Sequence, residues 1–299
     1  MNLTLSCDDN YVPYLSVCLL SILTYNENVN FYILDLGISE ENKDKIHQIV
    51  KDNGGEINFI PINKEDFSFF PQTIKYISIA TYARLKLGSY LSNLEKVIYI
   101  DVDTLTIGSI KELWNIKLSD DNAIAACFDS FIEFSSNNYK ETIGLKQDEP
   151  YFNAGVLLID IKKFQSLQIY EKAIEYLHSH PNIYYQDQDI LNVLFKGKIQ
   201  FISPKFNFMP MLRSRIKKRK KLDELEKNSI PISIIHYCGS KKPWHSKCSH
   251  TKSSYFLDLY NSIPNKPTNW EGKVEKLGLI NRFSRWRKDF RDKLIYGIQ

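Results

Sequence analysis

Several common signatures are missing from the 299-residue sequence, and each absence narrows its class. No Gly-x-Gly-x-x-Gly follows any apolar run, and no Gly-x-x-x-x-Gly-Lys-Ser/Thr occurs. Dinucleotide oxidoreductases and P-loop nucleotidases hold phosphate on the backbone of such loops, so both are disfavoured. Any nucleotide bound here must have its phosphates handled by a metal and side chains. Cysteine is scarce: Cys7, Cys18, Cys127, Cys238 and Cys248 are odd in number, scattered, and never spaced as Cys-x-x-Cys. That usage fits unpaired thiols in a reducing compartment better than a disulfide framework. No stretch approaches the roughly 20 apolar residues of a membrane-spanning helix. Met1 to Cys7 shows neither a basic n-region nor a long apolar core, so the expected compartment is the cytoplasm. Charge imbalance is missing too: 39 Lys and Arg against 35 Asp and Glu leave a net +4. Bulk charge therefore names no partner, and its distribution has to be read instead.

What is present suits a soluble α/β protein. Hydrophobic content of 43% and charged content of 25% are ordinary, and the length favours one large domain with additions. The 18 Tyr and 17 Phe suit ring-lined surfaces. Residues 3–7 read as a strand, followed by helical spacing at Tyr14, Val17, Cys18, Leu20, Ser21 and Leu23. Residues 31–34 are a second strand. Ser39 is placed to cap a helix through Val50, with Glu40 and Glu41 in its first turn. Residues 57–62 form a third strand, closed by proline. Strands alternating with helices predict a parallel sheet covered on its faces. Further on, 77–85 runs into a helix ending near Gly88, 123–128 reads as a buried strand, and 164–177 as a helix.

The organising stretch is Val97-Ile98-Tyr99-Ile100-Asp101-Val102-Asp103-Thr104. Its apolar run predicts a strand buried on both faces. Side chains two apart on an extended chain share a side, so the Asp101 and Asp103 carboxylates can converge. In an open α/β sheet, ligands sit beyond the carboxyl ends of strands, where this pair falls. Two anionic oxygens there suit Mn²⁺ or Mg²⁺, which would in turn hold a diphosphate. A bare Asp-x-Asp is more often two solvated acids in a turn; the company it keeps decides. His236, after the apolar run Ser233-Ile234-Ile235, is a candidate third ligand, and an imidazole beside two carboxylates favours Mn²⁺ over Ca²⁺.

Other polar residues carry two readings each. Asp8-Asp9-Asn10-Tyr11 is either loop chemistry after a strand or a reader of base and ribose. Arg84 is either a snorkelling surface residue or a guanidinium beside phosphate or carboxylate. Asn153, placed with Gly155 just before an apolar strand, is a turn residue or a partner of sugar hydroxyls. Gln186-Asp187-Gln188-Asp189 is a helix start or a hydroxyl-recognition series. Lys241, Lys242, Trp244 and His245 suggest a lid over an anionic leaving group.

Taken together and in this order, the segments resemble bacterial glycosyltransferases of family 8, most closely lipooligosaccharide α-galactosyltransferases. The likeness runs from the first strand to about Trp270. It rests on Asp8-Asp9-Asn10-Tyr11, Thr81-Tyr82-Ala83-Arg84-Leu85, Asp101-Val102-Asp103, Phe152-Asn153-Ala154-Gly155-Val156, Gln186-Asp187-Gln188-Asp189, and His236-Tyr237-Cys238-Gly239 with Lys242-Pro243-Trp244-His245. The resemblance implies a GT-A (Rossmann-like) fold with a mostly parallel, mixed sheet. It also implies a UDP-hexose donor, Mn²⁺ with Mg²⁺ as a possible substitute, and retention of anomeric configuration. Carried over residue by residue, Asp8, Asn10 and Tyr11 would hold uracil and ribose with the backbone of Ser6 and Cys7. Asp101, Asp103 and His236 would bind the metal, with Val102 beside the donor. Gly239 and Lys242 would contact phosphate. Arg84, Asp129, Asn153, Asp187 and Gln188 would surround the sugar, Gln188 on the face where a nucleophile would sit. An amide is a poor nucleophile, so same-face attack within a short-lived ion pair is implied.

The sequence departs from the family pattern between Phe208 and Lys221. Met209-Pro210 is kept, but the basic run Leu212 to Lys221 replaces an aromatic, mixed loop. A basic rim facing an acidic acceptor or anionic headgroups is expected there. From Ile280 onward, Phe283, Trp286, Phe290 and Leu294 recur at helical spacing among Arg282, Arg285, Arg287, Lys288, Arg291 and Lys293. That pattern fits an interfacial membrane helix; a helix docked on its own domain would bury the same aromatics. Nothing supplies base-reading machinery for nucleic acid. The expectation is a catalytic domain at 1–270 and a membrane-associating tail at 271–299, on the inner face of the plasma membrane. Galactose transfer to a lipooligosaccharide or other surface glycan is expected. Glucose transfer, a protein O-glycan acceptor, and a non-catalytic UDP-sugar sensor are the rivals. Deleting 280–299 is expected to release the protein from anionic vesicles with donor hydrolysis intact.

Overall fold

Runs of β-branched and aromatic residues become strands here and sort into two sheets. The computed structural model describes residues 1–74, 79–134, 138–210, 217–248, 250–276 and 278–296. The strands are β1 (Asn2–Cys7), β2 (Asn30–Asp35), β3 (Glu56–Pro61), β4 (Lys96–Ile100), β5 (Thr104–Thr106), β6 (Ile124–Phe128), β7 (Phe152–Asp160), β8 (Ile199–Phe201) and β9 (Ile234–His236). A seven-stranded sheet has the order β3-β2-β1-β4-β7-β6-β8, and β5 pairs with β9 in a small second sheet. β3, β2, β1 and β4 run parallel. β7 is antiparallel to both its neighbours, and β8 is parallel to β6. This is the mixed, mostly parallel sheet of the GT-A fold.

Alternation along β4 sends Ile98 and Ile100 to one core layer and Val97 and Tyr99 to the other. Helices Val12–Tyr25 and Glu40–Asp52 cover the first layer; helices Ile161–Ser166, Ile169–Ser179 and Asp187–Leu194 cover the second. Both faces of the strand are thus dry, and each fully buried Leu or Ile contributes about 1.5–3 kcal/mol. All five cysteines are free thiols, four of them buried. Among the described residues no helix is long and apolar enough to cross a membrane.

Several local expectations are corrected. The stretch expected to run into a helix ending near Gly88 does so, but as a 3₁₀ segment, Ile79–Lys86, with the short helix, Leu87–Tyr90, starting at its end and passing Gly88; Ile77 and Ser78 lie outside the described residues. The helix expected over 164–177 is two helices, broken at Gln168, whose φ of 51° is left-handed. Ser39 precedes its helix without a side-chain cap, because its hydroxyl and N–H both donate to Asp9 Oδ1. Asn153 and Gly155 lie inside β7 rather than before it. In the basic run, residues 211–216 lie outside the described residues, and 217–221 are exposed, leading into helix Arg219–Asn228.

Candidate active site

Strand ends and registers bring the expected residues to one place. β4 ends at Ile100, and the Asp101 N–H donates to the Gly155 carbonyl on β7 at 2.8 Å. The chain then turns into β5, whose register sets Thr104 opposite His236. That pairing delivers an imidazole from a distant part of the chain to the Asp101–Asp103 turn. Next to it, Phe208 bridges to Ile235, which places Asn207 against His236. At the end of β6, a register shift carries Asp129 to the same edge, where its N–H donates to the Tyr151 carbonyl.

Ligand atoms of Asp101, Asp103 and His236 lie within 4.8 Å of one another. His236 Nε2 is 3.2 Å from Asp103 Oδ1 and 3.8 Å from Asp101 Oδ2. The other oxygens are taken: Asp101 Oδ1 accepts from Arg84 Nη2 at 2.7 Å and Tyr99 Oη at 3.0 Å, and Asp103 Oδ2 accepts from Lys242 Nζ. His236 Nδ1 lies 3.0 Å from Asn207 Oδ1, a contact that places a proton on Nδ1 and turns Nε2 toward the two carboxylates. One oxygen from each acid and one nitrogen therefore converge, a donor set that fits a divalent cation. Gly155 keeps the space open. A Cβ there would stand 2.1 Å from His236 Cε1 and 2.9 Å from Asp101 Oδ2. Burial opposes ionisation of Asp103, yet Lys242 and His236 outweigh it and hold the carboxyl well below the usual range.

A hydrogen-bond chain runs from this cluster to the other end of the site. Asn207 Nδ2 donates to Asn153 Oδ1 at 2.9 Å. Asn153 Nδ2 donates to Asp129 Oδ2 at 3.0 Å, and Gln188 Nε2 donates to the same oxygen at 3.1 Å. Gln188 Oε1 accepts from the Ala154 N–H at 3.0 Å. Asp129 Oδ1 meanwhile accepts from the N–H groups of Phe131 and Ile132. Asp129 and Asn153 are thus engaged as orienting groups, and Asp129, the Ala154 N–H and Tyr151 Oη fix Gln188. Arg84, 4% exposed, joins the two ends. It lies 2.9 Å from Asp187 Oδ2, donates to the Thr81 and Ala154 carbonyls, and stacks over Tyr99 at 4.2 Å. Burial pushes the Asp187 carboxyl up to about 6 despite Arg84 and a hydrogen bond from Thr81. In the same motif, Asp189 is structural: it accepts from Tyr151, Tyr139 and the N–H groups of Tyr184 and Tyr185.

These residues surround a cavity of about 550 Å³. Of the expected site residues, Ser6, Cys7, Asp8, Tyr11, Arg84, Asp101, Val102, Asp103, Asp129, Asn153, Asp187, Gln188, His236, Gly239 and Lys242 line it. Asn10 does not; it is exposed, and its Oδ1 accepts from Lys273. Asp8 Oδ1 accepts from the Asn10 and Tyr11 N–H groups, capping the turn that aims the Tyr11 ring. Trp244 is not part of a lid surface: it is buried and stacks on Tyr14 at 3.8 Å, anchoring the loop that carries Lys242. Sequence reasoning missed Asn207, an amide between two phenylalanines with no motif around it. It also missed Tyr99 as a partner of Asp101, and Tyr184, Tyr185 and His250 as cavity walls. Tyr184-Tyr185, directly before Gln186, was the available signal.

A mixed sheet with Asp-x-Asp at the end of a central strand and a histidine closing a cation site has the build of a GT-A transferase. The sequence profile of glycosyl transferase family 8 matches residues 2–248. The chain belongs to that family and is a retaining glycosyltransferase. A Haemophilus influenzae protein provisionally described as a glycosyltransferase is 44% identical over 98% of this chain and 88% of its own length. The lipopolysaccharide 1,2-glucosyltransferase of Escherichia coli K12 is 29% identical over 88% of this chain and 78% of its own. The crystal structure of the galactosyltransferase LgtC in complex with donor and acceptor sugar analogs matches with a TM-score of 0.83 and 40% identity, covering 92% of this chain and 100% of that one.

Proposed function

We propose that the protein transfers galactose from UDP-galactose, with Mn²⁺ and retention of configuration, to a lipooligosaccharide or other surface glycan. The observation that carries this reading is the convergence of Asp101 Oδ2, Asp103 Oδ1 and His236 Nε2 at the wall of an open cavity, with Arg84 and Lys242 beside them. Those three atoms would hold the cation, with Mg²⁺ as a substitute, and the bound cation would neutralise charge on the donor diphosphate. Tyr11, set edge-on to Tyr14 and Trp244, offers a ring to the uracil, and Asp8 flanks the ribose. Gly239 and Lys242 face the phosphates.

In the reaction the bond from the anomeric carbon to the β-phosphate oxygen breaks, and its electron pair leaves with UDP. The acceptor hydroxyl attacks the same face, and its proton passes to the departing phosphate oxygen. Lys242 stabilises charge developing on the leaving group more than charge in the ground state. Asp187 and Asp129 place negative charge around the cationic sugar. The amide of Gln188, held by Ala154 and Asp129, lines the face opposite departure without serving as a strong nucleophile.

Glucose as the donor sugar is the second reading, favoured by the likeness to the Escherichia coli glucosyltransferase. In the main reading residues 1–270 are catalytic, and residues 271–299 attach the protein to the inner face of the plasma membrane. Leu279, Ile280, Phe283, Trp286, Phe290 and Leu294 support that attachment, since all are exposed on helix Leu279–Tyr296 among basic residues. UDP release with Mn²⁺ from a panel of UDP-sugars tests the assignment. Release chiefly from UDP-galactose is expected; release chiefly from UDP-glucose overturns the sugar assignment. Tight binding without release, even with a galactose-accepting oligosaccharide present, would identify a sensor.

A further inference from the structure

Helix Leu279–Tyr296 is docked and exposed at once. Its aromatic face points outward, with Phe283 and Trp286 each 60% exposed. At 100° per residue, Arg285 falls on the far side and Asp289 on the flank between. Arg285 is only 2% exposed. Its Nε donates to the Cys248 carbonyl at 2.5 Å, and its Nη2 to the His245 and Pro243 carbonyls at 2.6 and 3.3 Å. Asp289 accepts from the Lys252 N–H at 2.8 Å and from the Ser254 hydroxyl. The expected alternatives, membrane helix or docked helix, are therefore not exclusive, because docking uses the polar face and leaves the aromatics free.

The segment held in this way begins at Lys242. The Lys242 N–H donates to His245 Nδ1 at 3.3 Å, and the His245 N–H returns to the Lys242 carbonyl at 3.0 Å. The Lys242 ammonium sits between Asp103 and the Tyr237 carbonyl. Among the described residues no strand includes 237–252; beside the backbone bond from the Glu275 N–H to the Trp244 carbonyl, side chains do most of the fixing. A forked guanidinium binds three carbonyls at once, which an ammonium on a flexible stem does poorly. Lys288 of the same helix also bears on the cavity: burial, then Lys288, Lys241 and Lys242, push the cavity-wall residue His250 down to about 4, keeping it neutral.

We propose that Arg285 is a positioning residue for the sugar donor: by gathering the Pro243, His245 and Cys248 carbonyls it sets Lys242 against the Asp103 end of the site. The tail helix is then part of the donor site as well as a membrane face, and deleting it loosens donor binding. This rests on Lys242 contacting the donor diphosphate.

The full chain is compared with Arg285→Ala, Arg285→Lys, Asp289→Ala, Lys242→Ala and the double variant Phe283→Ser/Trp286→Ser. UDP affinity with Mn²⁺ is measured by calorimetry, donor KM and kcat by UDP release, and integrity by thermal melting. Arg285→Ala is expected to raise the UDP Kd and donor KM about tenfold with kcat nearly unchanged, the loss of one charge-assisted anchor. Arg285→Lys should fall between, and the double variant should match the native chain in the absence of vesicles. If Arg285→Ala melts too low to assay, Asp289→Ala carries the test, with a rise of about threefold. Unchanged UDP affinity in a folded Arg285→Ala, beside a weakened Lys242→Ala, overturns the inference alone. Unchanged affinity in Lys242→Ala overturns the underlying reading of the phosphate contact.

Discussion

The cavity has a wall and a cover that are built differently. The wall is made of strand ends. Asp101 is tied to Gly155, His236 is set by its pairing with Thr104, and Asp129 is tied to Tyr151, all through backbone bonds. The cover, the described residues between Gly239 and Lys252, is held mainly by side chains: Trp244 on Tyr14, Tyr237 Oη on the Thr251 carbonyl, and Arg285 under three carbonyls, beside one backbone bond from Glu275 to Trp244. Groups that must share a cation tolerate little positional error, which a sheet register supplies. A surface that admits and releases a donor has to yield, and loops fastened by a few side chains can. Damage to the wall should therefore destroy catalysis or metal binding, while damage to the cover should weaken donor affinity.

The largest effect should come from Asp103→Asn, which removes a wall carboxylate. A fall in kcat/KM of about 10³-fold is expected, with loss of calorimetric Mn²⁺ binding; a fall under about tenfold would show that the wall does not hold the ion. Asp187 tests the burial of the wall. Its carboxyl, raised from 3.8 to about 6, holds its proton more tightly folded than unfolded. The stability it contributes is full below the unfolded value of 3.8 and is lost as pH rises through about 6. Native stability minus that of Asp187→Asn should drop by about 2 kcal/mol between pH 4 and pH 7 in denaturant titrations, and a flat difference would contradict the burial. Gly155→Ala puts a methyl 2.1 Å from His236 Cε1, so activity should fall on the order of 10²-fold with a lower melting temperature. Asn207→Leu frees the imidazole, and Mn²⁺ affinity should weaken about 10–100-fold while UDP binding without metal is unchanged. The cover variant Arg285→Ala, at about tenfold in donor KM, sits at the foot of this scale.

The wall was more legible than the cover, for a physical reason. A dry strand ending in two acids advertises itself in Val97 to Asp103, because burial dictates its composition and the ligand dictates its end. His236 was legible by chemical type alone; that Thr104 faces it depends on a register that no local pattern encodes. Asn207 gave no signal, since an amide in a loop reads the same whether it orients an imidazole or meets water. The polar series Gln186 to Asp189 looked like one recognition element, but the helix turns Asp187 and Gln188 into the cavity and sends Asp189 to Tyr139 and Tyr151. In the tail, periodicity revealed the aromatic face. Arg285 was hidden within a stripe of equal charges, and only its burial against the cover loop singles it out.

The central claim is that Asp101, Asp103 and His236 together hold one cation that fastens the donor diphosphate. Calorimetric titration of UDP into the native chain and into His236→Ala, each with Mn²⁺ and with EDTA, tests it most directly. Tight binding only in the native chain with Mn²⁺ is the predicted result. Equal UDP affinity in all four titrations would contradict it.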